Sequence, residues 1–316
     1  MENRIVLSGG LGNQIFQYVA GRALFGDSRI ILDYSLLKPK LLRNELPELS
    51  EFALSQDVVW DCPRRSLFKR KIAELILKGS SIREDTSYKR RSLIRIFPGF
   101  KSIVSIFLFN GAHIATPRGI GFSKISISQK KSNLLIGNFH SYKWFDKNPS
   151  KFQAELSLKN KSDKFNSYIN LAAKENPLII QMRFGDFLEI SELNVITPDY
   201  FRNALAIQAH LLSNSSIWIF SNDFRKAREM LGELPTSRTR EVNPQDFSSA
   251  EILELLKLGR GYIISNSTFG WWGAYLGVHT HASTCVPSKW YSTMMPPKDL
   301  IPATWHKIPT GHKFES

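Results

Sequence analysis

Four short segments place polar or charged side chains beside glycine or at the end of an apolar run. They are residues 8–14 (SGGLGNQ), 181–187 (QMRFGDF), 220–223 (FSND) and 265–273 (SNSTFGWWG). In the first, glycines let backbone amides approach a ligand, and a helix start favours an anion. Gly10, Gly12, Asn13 and Gln14 are therefore candidates for a phosphate contact; a tight turn with no ligand reads equally well. No G-K-[ST] follows, so this is not a P-loop. As a dinucleotide fingerprint it is incomplete. Gly10 and Gly12 fit, but Ile15 stands at the third glycine position, and Asp33 falls at a plausible distance for a ribose contact. In the second segment Arg183 could hold a phosphate through paired N–H donors. Alternatively, Arg183 pairs with Asp186 and only stiffens a turn. In FSND, Asn222 marks either a ligand edge or an ordinary helix cap, the cap being the simpler reading. In the fourth segment the amides of Ser267, Thr268 and Phe269, with two hydroxyls, would suit a phosphate. The plain alternative is an N-cap, with Trp271 and Trp272 as core.

Other chemistries lack their residues. There is no D-x-D, the carboxylate pair of metal-dependent sugar-nucleotide enzymes, and no H-E-x-x-H or G-x-S-x-G. His279 and His281 are two apart, too close to share one helical face, and read as loop residues. No metal site is expected.

These segments need elements to position them. Residues 4–8 form a short β-branched run, the stretch from Asn13 repeats apolar residues at helical spacing, and residues 29–33 are a second strand. Strand, glycine loop, helix and strand make a βαβ opening. Residues 68–79 (FKRKIAELILKG) read as a basic amphipathic helix, and 133–145 as a strand running into an aromatic loop. Residues 151–177 read as one helix closing on Asn176-Pro177. Strands follow at 178–184, 216–223 and 261–267. Between them lie a helix capped by Thr197 with Pro198 in its first turn and a helix ending at Gly259. Such alternation predicts parallel sheets covered by helices. In a doubly wound sheet, the three polar clusters of the second half line up along one rim. A boundary near residues 150–177 divides the chain into domains 1–155 and 156–316, two α/β domains facing one another across a cleft.

The bulk composition fits this division. The chain has 316 residues, 42% hydrophobic and only 22% charged, which argues against disorder. The formal net charge is +14, and such an excess favours polyanions: nucleic acid, anionic lipid or a phosphate-bearing substrate. Residues 64–101 carry twelve Lys or Arg against three acids. The two cysteines, Cys62 and Cys285, sit in no C-x-x-C and suit a reducing compartment. A strand begins almost at once, so no signal peptide is expected. The longest apolar patch falls short of the ~20 residues needed to span a bilayer.

GGLGNQIFQYVAGRAL, RFGDF, FSND, ISNSTFGWWGAYLG and CVPSKWY occur in this order. In that order and content the sequence resembles the α-1,2-fucosyltransferases of glycosyltransferase family 11, over most of the chain except about 60–130. The resemblance implies a GT-B-like fold of two Rossmann-like domains, an acceptor side in residues 1–155 and a nucleotide-sugar donor domain in 156–316. It implies inverting transfer of fucose from GDP-β-L-fucose to the 2-hydroxyl of a galactose, with no metal or cofactor. The galactose would sit in a surface glycan, lipid-linked at a bacterial inner membrane. The protein would then be cytoplasmic. The basic stretch 64–101 reads equally well as a surface that rests on anionic lipid at the inner face of the membrane and as a plain solvated basic face, and no nucleic acid is expected as a partner.

The family's middle motif usually reads H-x-R-R-x-D; here Gln181 and Phe184 replace the histidine and the second arginine. Arg183 is assigned to charge neutralisation on the departing GDP, and Asp186 to the base or to orienting Arg183. Gly10, Gly12, Asn13, Gln14, Asn222, Ser267, Thr268 and Phe269 are assigned to the donor. Glu251, near the family's acidic position before the last strand, is assigned to the guanosine part. Two rival readings are an NAD-type oxidoreductase built on Gly10, Gly12 and Asp33, and a non-enzymatic polyanion-binding protein.

Overall fold

The computed structural model describes residues 1–37, 45–63, 66–80, 104–105, 109–184, 195–212, 214–279, 281–292 and 295–310. The chain divides into two compact units, Met1–Leu156 with Pro297–Ile301, and Ser157–Pro296 with Pro302–Ser316. A short C-terminal stretch thus returns to the first unit.

The first unit runs β1 (Asn3–Val6), α1 (Leu11–Phe25), β2 (Ile30–Asp33), β3 (Val58–Asp61), α2 (Leu67–Ser80), β4 (His113–Ala115), β5 (Asn133–Leu135) and α3 (Pro149–Glu155). Its sheet has the order β3-β2-β1-β5-β4, with every pair parallel. Helix α1 buries most of its length because Ile15, Phe16, Val19 and Ala20 recur on one side. Helix α2 turns Ala73 and Ile76 into a core shared with Val6, Ile114 and Leu134.

The second unit runs α4 (Asp163–Glu175), β6 (Leu178–Met182), α5 (Pro198–Ile207), α6 (Ala209–Leu212), β7 (Ile217–Ser221), α7 (Phe224–Leu231), β8 (Thr239–Val242), α8 (Ser249–Leu256), β9 (Gly261–Ile264), α9 (Thr268–Tyr275), β10 (Ser283–Pro287) and β11 (His306–Ile308). Its sheet order is β8-β7-β6-β9-β10-β11, again with every pair parallel. Strands covered on both faces read as continuous apolar runs, and β6, β7 and β9 are buried at every position.

Both units are therefore parallel, helix-covered α/β layers, the two Rossmann-like sheets that the family resemblance implied. Helix starts follow the capping residues. Thr197 Oγ1 accepts from the Tyr200 amide at 3.2 Å with Pro198 in the first turn. At the far end of α4, Asn176 takes a left-handed φ of 46° before Pro177.

One expected helix is two. Residues 151–177 break after Glu155, and Ser162 restarts the chain by accepting from the Phe165 amide at 3.1 Å. The division between the units falls in this gap. Among the described residues, no helix is long and apolar enough to cross a membrane.

Candidate functional site

In the second unit, the chain steps outward from β6 to β7 and β8, then returns to lay β9 on the other side of β6. The β6/β9 boundary is thus the switch point of a doubly wound sheet, where ligands bind beyond the strands' carboxyl ends. Register aligns these ends: Gln181 pairs with Ile264 and Met182 with Ser221. The segments after β6, β9 and β7 therefore leave along one rim. Arg183 follows β6 directly and is exposed, whereas Phe184 behind it is fully buried. Asn222, after β7, grips the Phe184 backbone from both sides. Its Oδ1 accepts from the Phe184 amide at 2.8 Å, and its Nδ2 donates to the Phe184 carbonyl at 3.1 Å. Asn222 thus shapes the turn that carries Arg183. The next residue, Asp223, is the cap of α7, accepting from the Lys226 amide at 3.0 Å.

Beyond β9, the Ser265 amide donates to the Gln181 carbonyl at 2.9 Å, and Ser265 Oγ donates to Gln181 Oε1 at 3.1 Å. Gln181, standing where the family pattern has histidine, is held inside the sheet edge and is 5% exposed. Helix α9 crosses it closely: a Cβ at Gly270 would sit 2.3 Å from Gln181 Oε1, and one at Gly273 would sit 2.5 Å from Leu256 Cβ. Trp271 and Trp272 are fully buried at 84° to each other, and Trp271 stacks on Tyr275 at 4.5 Å. Glycine on the contact side and tryptophan in the core fix where α9 begins.

That beginning has no side-chain cap, since the Ser267 hydroxyl bonds none of the first-turn amides. The amides of Thr268, Phe269 and Gly270 precede the first intrahelical bond, Trp271 N–H to the Ser267 carbonyl at 2.9 Å. Thr268 and Phe269 are half-buried. Such a turn suits an anion.

Ser267 is more enclosed than the two residues after it. Its amide donates to the Ser265 carbonyl at 2.8 Å and the residue is 4% exposed. Glu251 has a structural task. It completes the capping box of α8, with one carboxylate oxygen accepting from the Ser248 amide at 3.1 Å and the other from the Ser162 amide at 2.8 Å. Burial raises its pKa, but the N–H donors of Ser162 and Ser248 outweigh this and lower it overall. The carboxylate is spent on holding α8 to the start of α4. Asp186 lies outside the described residues.

The remaining candidates belong to the first unit. Gly9 has φ +72°, and a side chain there would meet Asn13 Nδ2. Gly10 is the N-cap of α1, and its carbonyl accepts from the amides of Asn13 (2.9 Å) and Gln14 (3.1 Å). Those two amides close the helix instead of facing a phosphate, and Gly12 is buried and has a partner of its own. The side chains carry the polarity instead. Gln14 Nε2 donates to the Gly9 carbonyl at 3.2 Å, while its Oε1 is buried without a hydrogen bond among the described residues. Gln14 lines a cavity of about 480 Å³ with Gly10, Glu45, Glu48 and Glu51. Its described walls hold glutamates and no cation, which disfavours a diphosphate. Asp33 is fully buried, and its Oδ1 accepts from the Ser35 amide at 3.0 Å.

His140 carries a contact that the sequence pattern did not flag. It follows β5, 127 residues from Asn13, and its Nε2 lies 3.1 Å from Asn13 Oδ1. In its Nε2–H tautomer the ring donates to that oxygen. Burial alone lowers the His140 pKa to about 3, so the ring stays neutral. That contact holds the half-exposed Asn13 carboxamide with Nδ2 against Gly9. Gln17 braces the same loop, accepting from the Ser8 amide at 2.9 Å and donating to the Gly137 carbonyl at 3.2 Å. The one available signal was a lone histidine in an aromatic loop after a strand.

Comparison with known proteins places the chain. The sequence model of glycosyl transferase family 11 matches residues 121–305, more than half of the chain. An α-1,2-colitosyltransferase of Escherichia coli is 24% identical, covering 96% of this chain and 97% of its own length. The O-antigen biosynthesis glycosyltransferase WbnK of Escherichia coli is 23% identical, covering 90% and 94%. Among solved structures, the fucosyltransferase NodZ from Bradyrhizobium is 12% identical with a TM-score of 0.45, covering 87% of this chain and 94% of that one. By the family match, this chain belongs to glycosyl transferase family 11 and is a glycosyltransferase.

Proposed function

We propose that this glycosyltransferase moves L-fucose from GDP-β-L-fucose to the 2-hydroxyl of a galactose in an O-antigen or similar surface glycan, with inversion and without a metal. The α-1,2 linkage and the O-antigen context are supported by the names of the two Escherichia coli relatives. One arrangement carries the reading: Arg183 and the uncapped turn Thr268–Gly270 leave neighbouring strands at the β6/β9 switch point. A guanidinium and a helix start directed to one crevice suit a leaving diphosphate, whose charge grows as the glycosidic bond breaks. Asp186 is the proposed base that takes the proton of the acceptor hydroxyl as the hydroxyl attacks in line. The Gln14 cavity, lined by glutamates and by no cation among the described residues, suits the hydroxyls of the neutral acceptor. The acceptor is lipid-linked, and the protein works at the inner face of the membrane, touching anionic lipid through residues 64–101.

A thermal-shift panel of GDP, UDP, CMP, ADP and NAD tests the donor class. GDP alone should stabilise the protein, and Arg183→Ala should abolish that shift while the unliganded melting temperature holds. Loss of this preorganised contact should also lower kcat by ~10²–10³. Stabilisation by NAD without GDP, or full turnover by Arg183→Ala, overturns the reading. The similarity to the colitosyltransferase favours a second reading, transfer of colitose through the same linkage. The mass of the product formed from each nucleotide sugar separates the two.

A further inference from the structure

Helix α2 has one face that the fold uses and one that it does not. Ala73 and Ile76 point into the first unit's core, with Ile72 and Leu77 packed beside them. At 100° per residue, Leu67, Lys71 and Lys78 fall within a narrow stripe on the opposite side, with Phe68 at its shoulder. Leu67 is 78% exposed and Phe68 is 62% exposed. Two adjacent large apolar side chains left in water at a helix start gain from a surface that buries them. Lys71 and Lys78 are exposed along the same stripe, which runs about 16 Å from Leu67 to Lys78. The single acid of the helix, Glu74, is paired with Arg70 at 3.4 Å, so it does not cancel them. Residues 64–66 place two more arginines just before the helix.

We propose that this outer face of α2 is a docking surface for an anionic bilayer, with Leu67 and Phe68 entering the headgroup boundary and Lys71 and Lys78 meeting lipid phosphates. The inference rests on the peripheral membrane contact proposed above and narrows it to one helix face. Charge complementarity selects anionic over neutral lipid, and the apolar pair selects a bilayer over a soluble polyanion, which would leave Leu67 and Phe68 in water. Lysine stems reach along the apolar boundary while their ammonium groups stay at the phosphates.

Flotation of the full chain with vesicles of phosphatidylglycerol and phosphatidylcholine tests this, with pure phosphatidylcholine as control. The wild type should float with the anionic vesicles alone. Lys71→Glu with Lys78→Glu should weaken binding about 25-fold or more, from about fivefold per lysine at the surface. Leu67→Ser with Phe68→Ser should weaken it at least ~10-fold. All four positions point away from the core, so both variants should melt within a degree or two of wild type and keep the GDP shift. Because flotation measures no transfer, its failure leaves the donor reading standing, and a failed GDP shift leaves docking standing. Flotation with neutral vesicles to the same extent, no flotation, or unchanged binding by either variant overturns the proposal. So does a dimer that Leu67→Ser with Phe68→Ser dissolves, which would make a second copy the occupant.

Discussion

Replacing His140 with glutamine removes a titrating group from the interior of the first unit while keeping a side-chain N–H for Asn13 Oδ1. In the folded protein, burial lowers the His140 pKa from 6.5 to about 3. In the unfolded chain it takes up a proton near its ordinary value. Between these two values the unfolded state binds the extra proton, so acidification favours unfolding. The stability tied to neutral His140 is fully present above pH 6.5 and is lost progressively as the pH falls toward 3. At 1.36 kcal/mol per unit, the whole span is worth about 5 kcal/mol. Over the practical range, from about pH 7.5 to about pH 5.5, it is about 1.5 kcal/mol. Chemical denaturation at those two pH values, on wild type and His140→Gln, isolates this part, because the other six histidines are common to both. Wild type should lose about 1.5 kcal/mol more than the variant on acidification. Equal losses would mean that His140 is reached by water or already charged, and would refute its role in setting the Asn13 carboxamide. A variant that keeps the donor should also keep kcat and KM near wild type.

Three further outcomes test the site. Asn222→Ala removes both hydrogen bonds to the Phe184 backbone and should cost about 1–2 kcal/mol in stability. It should lower kcat at least tenfold through the loosened Arg183 turn; loss of stability with unchanged kcat would reduce Asn222 to a structural tie. Glu251→Ala should cost about 1–3 kcal/mol through two orphaned amides and leave GDP affinity unaltered by calorimetry, whereas a large affinity loss would restore a nucleoside contact. Gly273→Ala sets a new Cβ against Leu256 and should destabilise by about 1–3 kcal/mol in a denaturant melt. An unchanged midpoint would show that α9 can move off α8.

The sequence by itself determined what is decided within a turn or two of the chain. Apolar runs gave β6, β7 and β9, helical spacing gave α1 and α2, and Thr197 capped the helix that follows it. Alternation of these elements fixed two parallel sheets, and strand ends named Arg183 and the SNSTFG turn. Partner choice lay outside its reach. Glu251 has a side chain as suitable for a ligand as that of Thr268 or Asn222, and only the fold shows its carboxylate spent on Ser248 and Ser162. The link from His140 to Asn13 spans 127 residues, and the pairing of β6 with β9 sets Gln181 beside Ile264. Periodicity and capping are local and short in range, whereas a switch point, a buried tautomer and a committed carboxylate arise only when distant segments exclude water from one another.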